Sequence, residues 1–494
     1  MALVLIGFMG AGKSRCARRL AKRRRAKPLD SDALLVARLG HSIAEEFELN
    51  GEQGLRAAEE ELVCELLAGA GEAEVVALGG GSVLSERVCA ALAAHTTMLI
   101  DVDPQTAWER VSVRGEGSER PLARDRAAFD ALYAERRELY ARVADAVLVW
   151  AESASGDYPV FVGRGLLAPE RLAAVWPLDR GHSRPFCVSD RTVAPLYAER
   201  LGGVAELIEI DPGESSKALA SAEAVFSALA VGGMTRADHL VALGGGVVGD
   251  LAGFCAATYQ RGVAVVHVPT TVVAQVDSAY GGKTGVDLPA AKNYVGAYHQ
   301  PAGVIVDPEV LDTLPAAELA AGYAEVVKTA LIAGGELWAR VAADEPIDER
   351  TILACARTKL AVVADDERDA GRRQALNLGH TVGHAIEAVT GYERYRHGEA
   401  VALGLLAALR LSGLVRLRAQ VGELLLAHGL PTTLSDDVDI EQVLTATRRD
   451  KKRTGEHVPF VLLGAPGDAQ IGCCVAEADL RAAVSELRAA ASPS

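Results

Sequence analysis

Residues Gly7 to Ser14 read GFMGAGKS and lie between an apolar run, Ala2 to Ile6, and a helix-forming segment from Arg15. Strand, glycine-rich turn and helix in that order commit the start of the chain to a parallel α/β sheet. Glycines let backbone N–H groups close around a polyphosphate, Lys13 can reach the β/γ-phosphates, and the Ser14 hydroxyl can ligate Mg²⁺. Gly10, Ala11, Gly12, Lys13, Ser14 and Arg15 are therefore the candidate nucleotide-binding residues, for ATP or GTP.

At 494 residues the chain exceeds one compact unit, and two or three domains are expected. Half of the residues are hydrophobic and 24% are charged, the balance of a globular chain. A net charge of −15 argues against a general nucleic-acid binder, although small anionic substrates need only a local basic cluster. The eight cysteines include no C-x-x-C pair, so neither a thiolate metal site nor a disulfide framework is expected. The first strand opens the chain without room for a signal peptide, and no apolar run approaches the ~18 residues of a membrane span. The cytoplasm is the expected location.

Apolar and helical segments alternate up to the strand Ala146 to Trp150, where the small, polar text AESASG (151–156) predicts a linker. A second alternating region opens at Tyr158 to Val162 and closes near Leu314 and Pro315; from Ala316 the pattern is mostly helical. The expected units are residues 1–150, 157–315 and 316–494. The basic run KRRRAK, Lys22 to Lys27, ends the first helical segment and reads as a solvated helix end.

Asp30 and Asp32 in PLDSD, Arg56 in NGEQGLRAAEE and the glycines Gly79 to Gly81 in ALGGGS follow plausible strand ends, where open α/β sheets bind ligands. A kinase needs a carboxylate to take the attacking hydroxyl's proton, cations for an anionic substrate and a backbone that can come close. Together with ERPLA and RRELY, these motifs resemble shikimate kinase over essentially all of residues 1–150. The resemblance implies that Asp32, Arg56, Gly80 and Arg136 hold shikimate, with Asp32 near the phosphorylated hydroxyl and both arginines on the carboxylate. Lys13, Ser14 and Arg120 would handle ATP and Mg²⁺, and Arg114 to Arg124 would close as a lid. Arg15, Leu55 and Ala123 depart from the family pattern without removing a charged catalytic group. Without the resemblance, another small-metabolite kinase, such as a gluconate or nucleoside monophosphate kinase, is the fallback.

In LNLGHTVGHAIEA, His380 and His384 stand one helical turn apart, a spacing shared by metal sites and by ordinary structural or surface pairs. His397 in YRHGEAV and Glu325 in GYAEVVK add an imidazole and a carboxylate, enough for a three-ligand catalytic zinc site with an open position. VALGGGVVGD, Val241 to Asp250, reads as strand, glycine turn and helix, suited to a pyrophosphate at the helix N-terminus. The following run, with Thr270, Asp277, Lys283, Lys292 and Asn293, is a polar site or a solvated loop.

In this order the motifs resemble 3-dehydroquinate synthase over residues 155–494. The resemblance implies zinc, or Co²⁺, on Glu325, His380 and His397, with His384 turned to the substrate. It implies NAD on Asp190, Glu214, Lys217, Gly245, Gly246, Val247, Val248, Gly249, Asp250, Thr270, Thr271 and Thr313, with Lys283 and Lys292 adjoining. Substrate phosphate and carboxylate would fall to Arg261, Lys283, Asn293, Lys328, Arg373, Asn377 and Lys452, with Lys359 a further contact and Asp277, Lys283 and His384 catalytic. The implied fold is a P-loop, nucleoside-monophosphate-kinase-like parallel sheet joined to a Rossmann-like NAD domain and a mainly helical metal domain.

The implied second reaction starts from 3-deoxy-D-arabino-heptulosonate 7-phosphate: oxidation of a ring hydroxyl by NAD⁺, loss of phosphate, return of the hydride, ring opening and aldol closure to 3-dehydroquinate. Both halves would then serve the shikimate pathway at non-consecutive steps, so channelling between them is not implied. A polyol dehydrogenase or another sugar phosphate cyclase is the rival for the second part, and a non-catalytic P-loop regulator the rival for the first. Small-molecule substrates and a homo-oligomer, a dimer through the synthase part, are expected.

Overall fold

The computed structural model describes residues 1–112, 125–289, 291–448 and 459–488. The strands, in chain order, are β1 (Leu3–Ile6), β2 (Lys27–Asp30), β3 (Glu74–Ala77), β4 (Thr96–Leu99), β5 (Ala146–Ala151), β6 (Tyr158–Val162), β7 (Pro185–Asp190) and β8 (Glu206–Ile210). They continue with β9 (His239–Gly244), β10 (Ala264–Pro269), β11 (Lys283–Leu288), β12 (Ala291–Tyr298), β13 (Gly303–Val306), β14 (Phe460–Ala465) and β15 (Asp468–Cys473). Among the described residues, eleven of them form one sheet in the order β2-β3-β1-β4-β5-β6-β13-β10-β9-β7-β8. Its central strands, such as β1 (LVLI), β6 (YPVFV) and β13 (GVIV), are buried at every position, as expected of a sheet covered by helices on both faces.

All neighbours in this sheet are parallel except β5 and β6, which pair antiparallel from Val147↔Val162 to Ala151↔Tyr158. The expected linker is thus the tip of a hairpin that splices two parallel sheets, and Ala151 belongs to β5. Because β5 and β6 run in opposite senses, the carboxyl ends of the strands in the two halves leave opposite edges of the sheet.

The basic run of the phosphate-loop helix, Lys13–Arg24, seals this junction, contrary to the solvated reading. Lys22, Arg25 and Lys27 are exposed, but Arg23 gives hydrogen bonds to the carbonyls of Ala302 and Asp157, each at 2.6 Å. Arg24 gives them to the carbonyls of Ala174 (2.6 Å) and Ala173 (3.3 Å), in the last turn of the helix Pro169–Val175. Those carbonyls lack intrahelical partners and carry the negative end of the helix dipole, so a guanidinium is a favourable cap. The Arg19 guanidinium lies 4.1 Å from the centroid of the Trp150 ring and pairs with Asp157. Beneath these contacts Ala17, Leu20 and Ala21 share one apolar cluster with Leu172, Val175 and Trp176, so the seal has a hydrophobic base. A second ion pair across the junction joins Asp101 and Arg357 at 2.9 Å.

Helices follow from Ala316 as expected, interrupted by the antiparallel hairpin β14/β15. A second antiparallel hairpin outside the sheet, β11/β12, is formed by the polar run that the sequence left open between a site and a loop. No helix among the described residues is long and apolar enough to cross a membrane. The basic run supplies a test of the junction. Arg24→Ala should lower stability by about 1–3 kcal/mol, the cost of buried carbonyls left without donors, while Lys22→Ala should change it by less than about 0.5 kcal/mol. Urea unfolding of the full chain followed by tryptophan fluorescence measures both, and equal effects would contradict the seal.

Candidate active sites

At the first site the phosphate loop leaves β1 with Gly7, Gly10 and Gly12 at φ of 146°, 81° and 92°. A Cβ on Gly10 would lie 2.4 Å from the Ala107 carbonyl oxygen, so the turn needs glycine for its backbone angle and for its space. Lys13 Nζ reaches back to the carbonyls of Gly7 (2.8 Å) and Phe8 (3.2 Å). Ser14 follows it in the first turn of the helix, and Arg15 points to Glu152 at 3.8 Å.

Across from this loop, Gly79 to Gly81 form a floor beneath charged side chains. A Cβ on Gly79 would come within 2.6 Å of Asp32 Oδ1, and one on Gly81 within 2.0 Å of the Arg56 guanidinium. Arg136, 6% exposed, approaches the Gly80 carbonyl, which also accepts from the Tyr140 hydroxyl at 2.6 Å. Burial pushes that phenol up to about 12, so it stays a donor. The Nε atoms of Arg56 and Arg136 are buried with no hydrogen-bond partner among the described residues. Two guanidiniums with spare donors around one glycine floor suit a carboxylate. Glu59, absent from the sequence expectations, holds Arg56 at 2.6 Å and accepts from Ser82 at 2.7 Å. Its sign was position: a carboxylate one turn beyond Arg56 (i, i+3). Arg120 and the lid residues Arg114 to Arg124 lie outside the described residues.

At the second site Glu325, in the helix Ala316–Ala333, is 1% exposed, and among the described residues its carboxylate meets Lys328 at 2.5 Å but accepts no well-directed hydrogen bond. His380 Nε2 and His397 Nε2 lie 3.5 and 3.4 Å from Glu325 Oε1, and the ligand atoms of all three residues fall within 4.8 Å of one another. Two imidazole nitrogens and a buried carboxylate oxygen spaced this way fit a divalent ion such as zinc. His384, exposed, forms a second such group with Glu387 and His397. A lysine lies beside the carboxylate of each group, Lys328 at Glu325 and Lys292 at Glu387, but the first group has no exposed member and is the better enclosed.

Burial drives the His380 imidazole down to about 3, which leaves it neutral and able to ligate. At His397 burial opposes the charged form, but the carboxylates of Glu325 and Glu387 outweigh it and lift the ring to about 10. Glu387, 2% exposed, sits 3.4 Å from His397 Nδ1, where it can orient that ring; the sequence reading missed it. Its sign was a carboxylate seven residues after His380 on the helix His380–Val389.

Next to Glu325, Lys328 Nζ stands 2.5 Å from both Glu325 Oε2 and Asp277 Oδ2, and Lys359 gives a hydrogen bond to the Asp277 carbonyl at 2.7 Å and pairs with its carboxylate. Burial alone would raise Asp277, but the two ammonium groups hold it at about 2. Lys283 pairs with Asp369 at 2.6 Å, another carboxylate that the sequence reading missed. Arg373, 1% exposed, binds the Gly281 carbonyl at 3.0 Å, and Asn377 closes the same short helical turn, Arg372–Asn377. Asn293 adopts φ 57° and gives its N–H to Asp287. Arg261 is exposed beyond the opposite end of the helix Gly246–Thr258 from the glycine turn, and Lys452 lies outside the described residues.

The glycine turn brings β9 to that helix, whose first turn holds Gly246, Val247, Val248 and Gly249. Val248 is 2% exposed and packs into the core, so only its backbone can face a ligand. A Cβ on Gly245 would lie 2.9 Å from Thr271 Cγ2, and the buried Thr270 hydroxyl has no partner among the described residues. Lys217 pairs with Asp250 at 2.5 Å, and Glu214 reaches Lys292 at 3.4 Å. Asp190 accepts from the N–H groups of Thr192 and Val193, ending β7 in a turn, and Thr313 bonds Tyr197 at 2.6 Å. A helix N-terminus, an orphaned hydroxyl and a close backbone fit a dinucleotide.

Comparison with known proteins gives three family matches: shikimate kinase over residues 9–158, 3-dehydroquinate synthase N-terminal over 207–321 and 3-dehydroquinate synthase C-terminal over 322–453. The 3-dehydroquinate synthase of Halorhodospira halophila (strain DSM 244 / SL1) is 45% identical over 345 residues, covering 65% of this chain and 94% of that protein. That of Symbiobacterium thermophilum (strain DSM 24528 / JCM 14929 / IAM 14863 / T) is 43% identical over 356 residues, covering 67% and 98%. Among solved structures, 2-epi-5-epi-valiolone synthase from Streptomyces hygroscopicus subsp. jinggangensis 5008, with NAD⁺ and Zn²⁺ bound, superposes with a TM-score of 0.60 at 26% identity, covering 67% of this chain and 96% of that one. The chain belongs to the 3-dehydroquinate synthase family and carries a shikimate kinase domain ahead of the synthase, which makes it a bifunctional shikimate-pathway enzyme.

Proposed function

We propose that the two reactions are carried by the residues that meet at the two sites. In the kinase, Lys13, Ser14 and the loop N–H groups bind the phosphates of ATP with Mg²⁺. Asp32 takes the proton of the attacking 3-hydroxyl, and Arg56 and Arg136 grip the shikimate carboxylate over Gly80. The spare Nε donors of those arginines carry this reading. Positioning and charge neutralisation are the main contributions such a site makes to phosphoryl transfer.

In the synthase, Glu325, His380 and His397 would hold zinc or cobalt, which when bound polarises the hydroxyl being oxidised. The turn Gly245–Gly249, with Thr270, Thr271, Lys217 and Asp250, would hold NAD, the hydride carrier. Lys283, Lys328 and Arg373 present cations to the substrate's phosphate and carboxylate, and Asp277 keeps Lys328 charged and holds Lys359 in place. His384, exposed beside His397, is placed to hydrogen-bond a substrate hydroxyl or move its proton. The single observation that carries this half is the buried carboxylate of Glu325 with two imidazoles, their ligand atoms all within 4.8 Å of one another. Identities of 43–45% to 3-dehydroquinate synthases support the heptulosonate phosphate as substrate over that of another cyclase. A cytoplasmic homodimer formed through the synthase part belongs to the same reading, on the family resemblance.

Two measurements test the assignments. Zinc affinity, read by competition with a chromogenic chelator, should fall by more than about 100-fold in Glu325→Gln, beyond the loss typical of an outer-shell carboxylate, and by less than about tenfold in His384→Asn. The reverse order would move the ion to the other group. Lys13→Met should cut ADP formation with shikimate by at least about 100-fold while phosphate release by the synthase stays within twofold. Loss of both activities would instead support a regulatory coupling.

A further inference from the structure

The loop that splices the two sheets does more than connect them. Glu367 follows the helix Glu349–Asp365, and its carboxylate accepts the Ser155 N–H at 3.0 Å, the Ser155 hydroxyl and the Gln300 amide at 2.8 Å; the Ser153 hydroxyl lies 3.4 Å from it and gives its proton to the Gly156 carbonyl at 2.6 Å, bracing the loop. Burial would raise this carboxyl, yet these donors hold it below its ordinary value, so it stays an anion that draws the loop in. The Glu367 carbonyl in turn accepts from Arg373, whose other terminal nitrogen binds the Gly281 carbonyl. Two residues further on, Asp369 holds Lys283, and the Arg368 carbonyl accepts from Tyr298 at 3.0 Å. The segment 366–373 is thus pinned at one end to the synthase hairpin β11/β12 and at the other to residues 153–155, which stand ahead of the matched synthase regions. The loop is itself fixed from the kinase side: Arg19 pairs with Asp157, and Arg23 binds the Asp157 carbonyl.

We propose that Ser153 and Ser155 are positioning residues for the synthase reaction: Ser155 holds the Glu367 carboxylate and Ser153 braces the loop at the Gly156 carbonyl, and together they fix the segment that sets Arg373 and Lys283 for the phosphorylated substrate. A loop supplied by the junction with the kinase thereby completes the synthase's anion-binding wall. The inference rests on the proposed assignment of Arg373 and Lys283 to substrate binding. Neither serine touches the reacting atoms, so their loss is felt through the geometry of two cations, and the effect belongs in KM more than in kcat.

The test uses full-length enzyme and three variants: the double change Ser153→Ala with Ser155→Ala, the double change to threonine, and Arg373→Ala. The alanine pair should raise KM for the heptulosonate phosphate about three- to tenfold, the range for one or two lost hydrogen bonds, with kcat within about twofold. Kinase constants for shikimate, measured in the same samples, should not move, and the threonine pair should restore KM. An unchanged KM in the alanine pair, or a parallel fall of both activities with a lower unfolding midpoint, would overturn the proposal. Arg373→Ala separates the two layers: if it leaves the synthase KM unchanged, the assignment of the substrate site fails; if it raises KM while the alanine pair does not, only the role of the loop fails.

Discussion

The antiparallel pairing of β5 with β6 is the constraint on which the rest of the molecule depends. Each half would present an edge strand whose unpaired N–H and C=O groups need cover, and the pairing gives each edge to the other. It also fixes the relative direction of the two parallel sheets. Since ligands bind where strand carboxyl ends emerge, the kinase and synthase crevices open from opposite edges of one sheet. That arrangement suits two reactions separated by intervening steps, which have no intermediate to pass directly. The arginines of the phosphate-loop helix then become structural: Arg23 and Arg24 are helix-end cations for the kinase and carbonyl caps for the synthase.

At the synthase site burial and charge work against each other at the buried carboxylates. Glu325, Asp277 and Glu387 would each be driven toward the neutral acid by burial, and each is held ionised by lysines or imidazoles around it. Isolated buried charges are costly, so the network stands only because its members satisfy one another. Glu325 belongs to it through Lys328, 2.5 Å away, and faces both His380 and His397. A buried carboxylate beside two imidazoles is a donor set that suits a divalent ion. The kinase site repeats the principle with opposite sign, in guanidinium nitrogens left without acceptors around a glycine floor.

Much of this was legible in the sequence because the features were local. The phosphate loop with its flanking strand, β5 and β6 depend on neighbouring residues, and their expected bounds match or nearly match the observed ones. The cluster of Glu325, His380 and His397 followed from family resemblance, and the structure brings these residues together. Long-range partners were not legible. An apolar run does not announce which strand it pairs with, so a hairpin tip read as a linker. A basic helix end does not announce carbonyls some 150 residues away, so Arg24 read as solvated. Glu59, Asp369 and Glu387 escaped because charged residues near motif residues are usually surface, and only the packed structure reveals what they hold.

The central claim, two working sites on one spliced scaffold with only the second dependent on the buried Glu325 cluster, is tested most directly by two assays on one preparation. Phosphate release from 3-deoxy-D-arabino-heptulosonate 7-phosphate with NAD⁺, and ADP formation with shikimate and MgATP, would be measured before and after removal of zinc by a chelator that is then dialysed away. The account predicts that phosphate release disappears with the zinc and returns on its re-addition, while ADP formation is unchanged throughout. Absence of phosphate release from folded, zinc-loaded enzyme, or loss of ADP formation in step with it, would contradict the account.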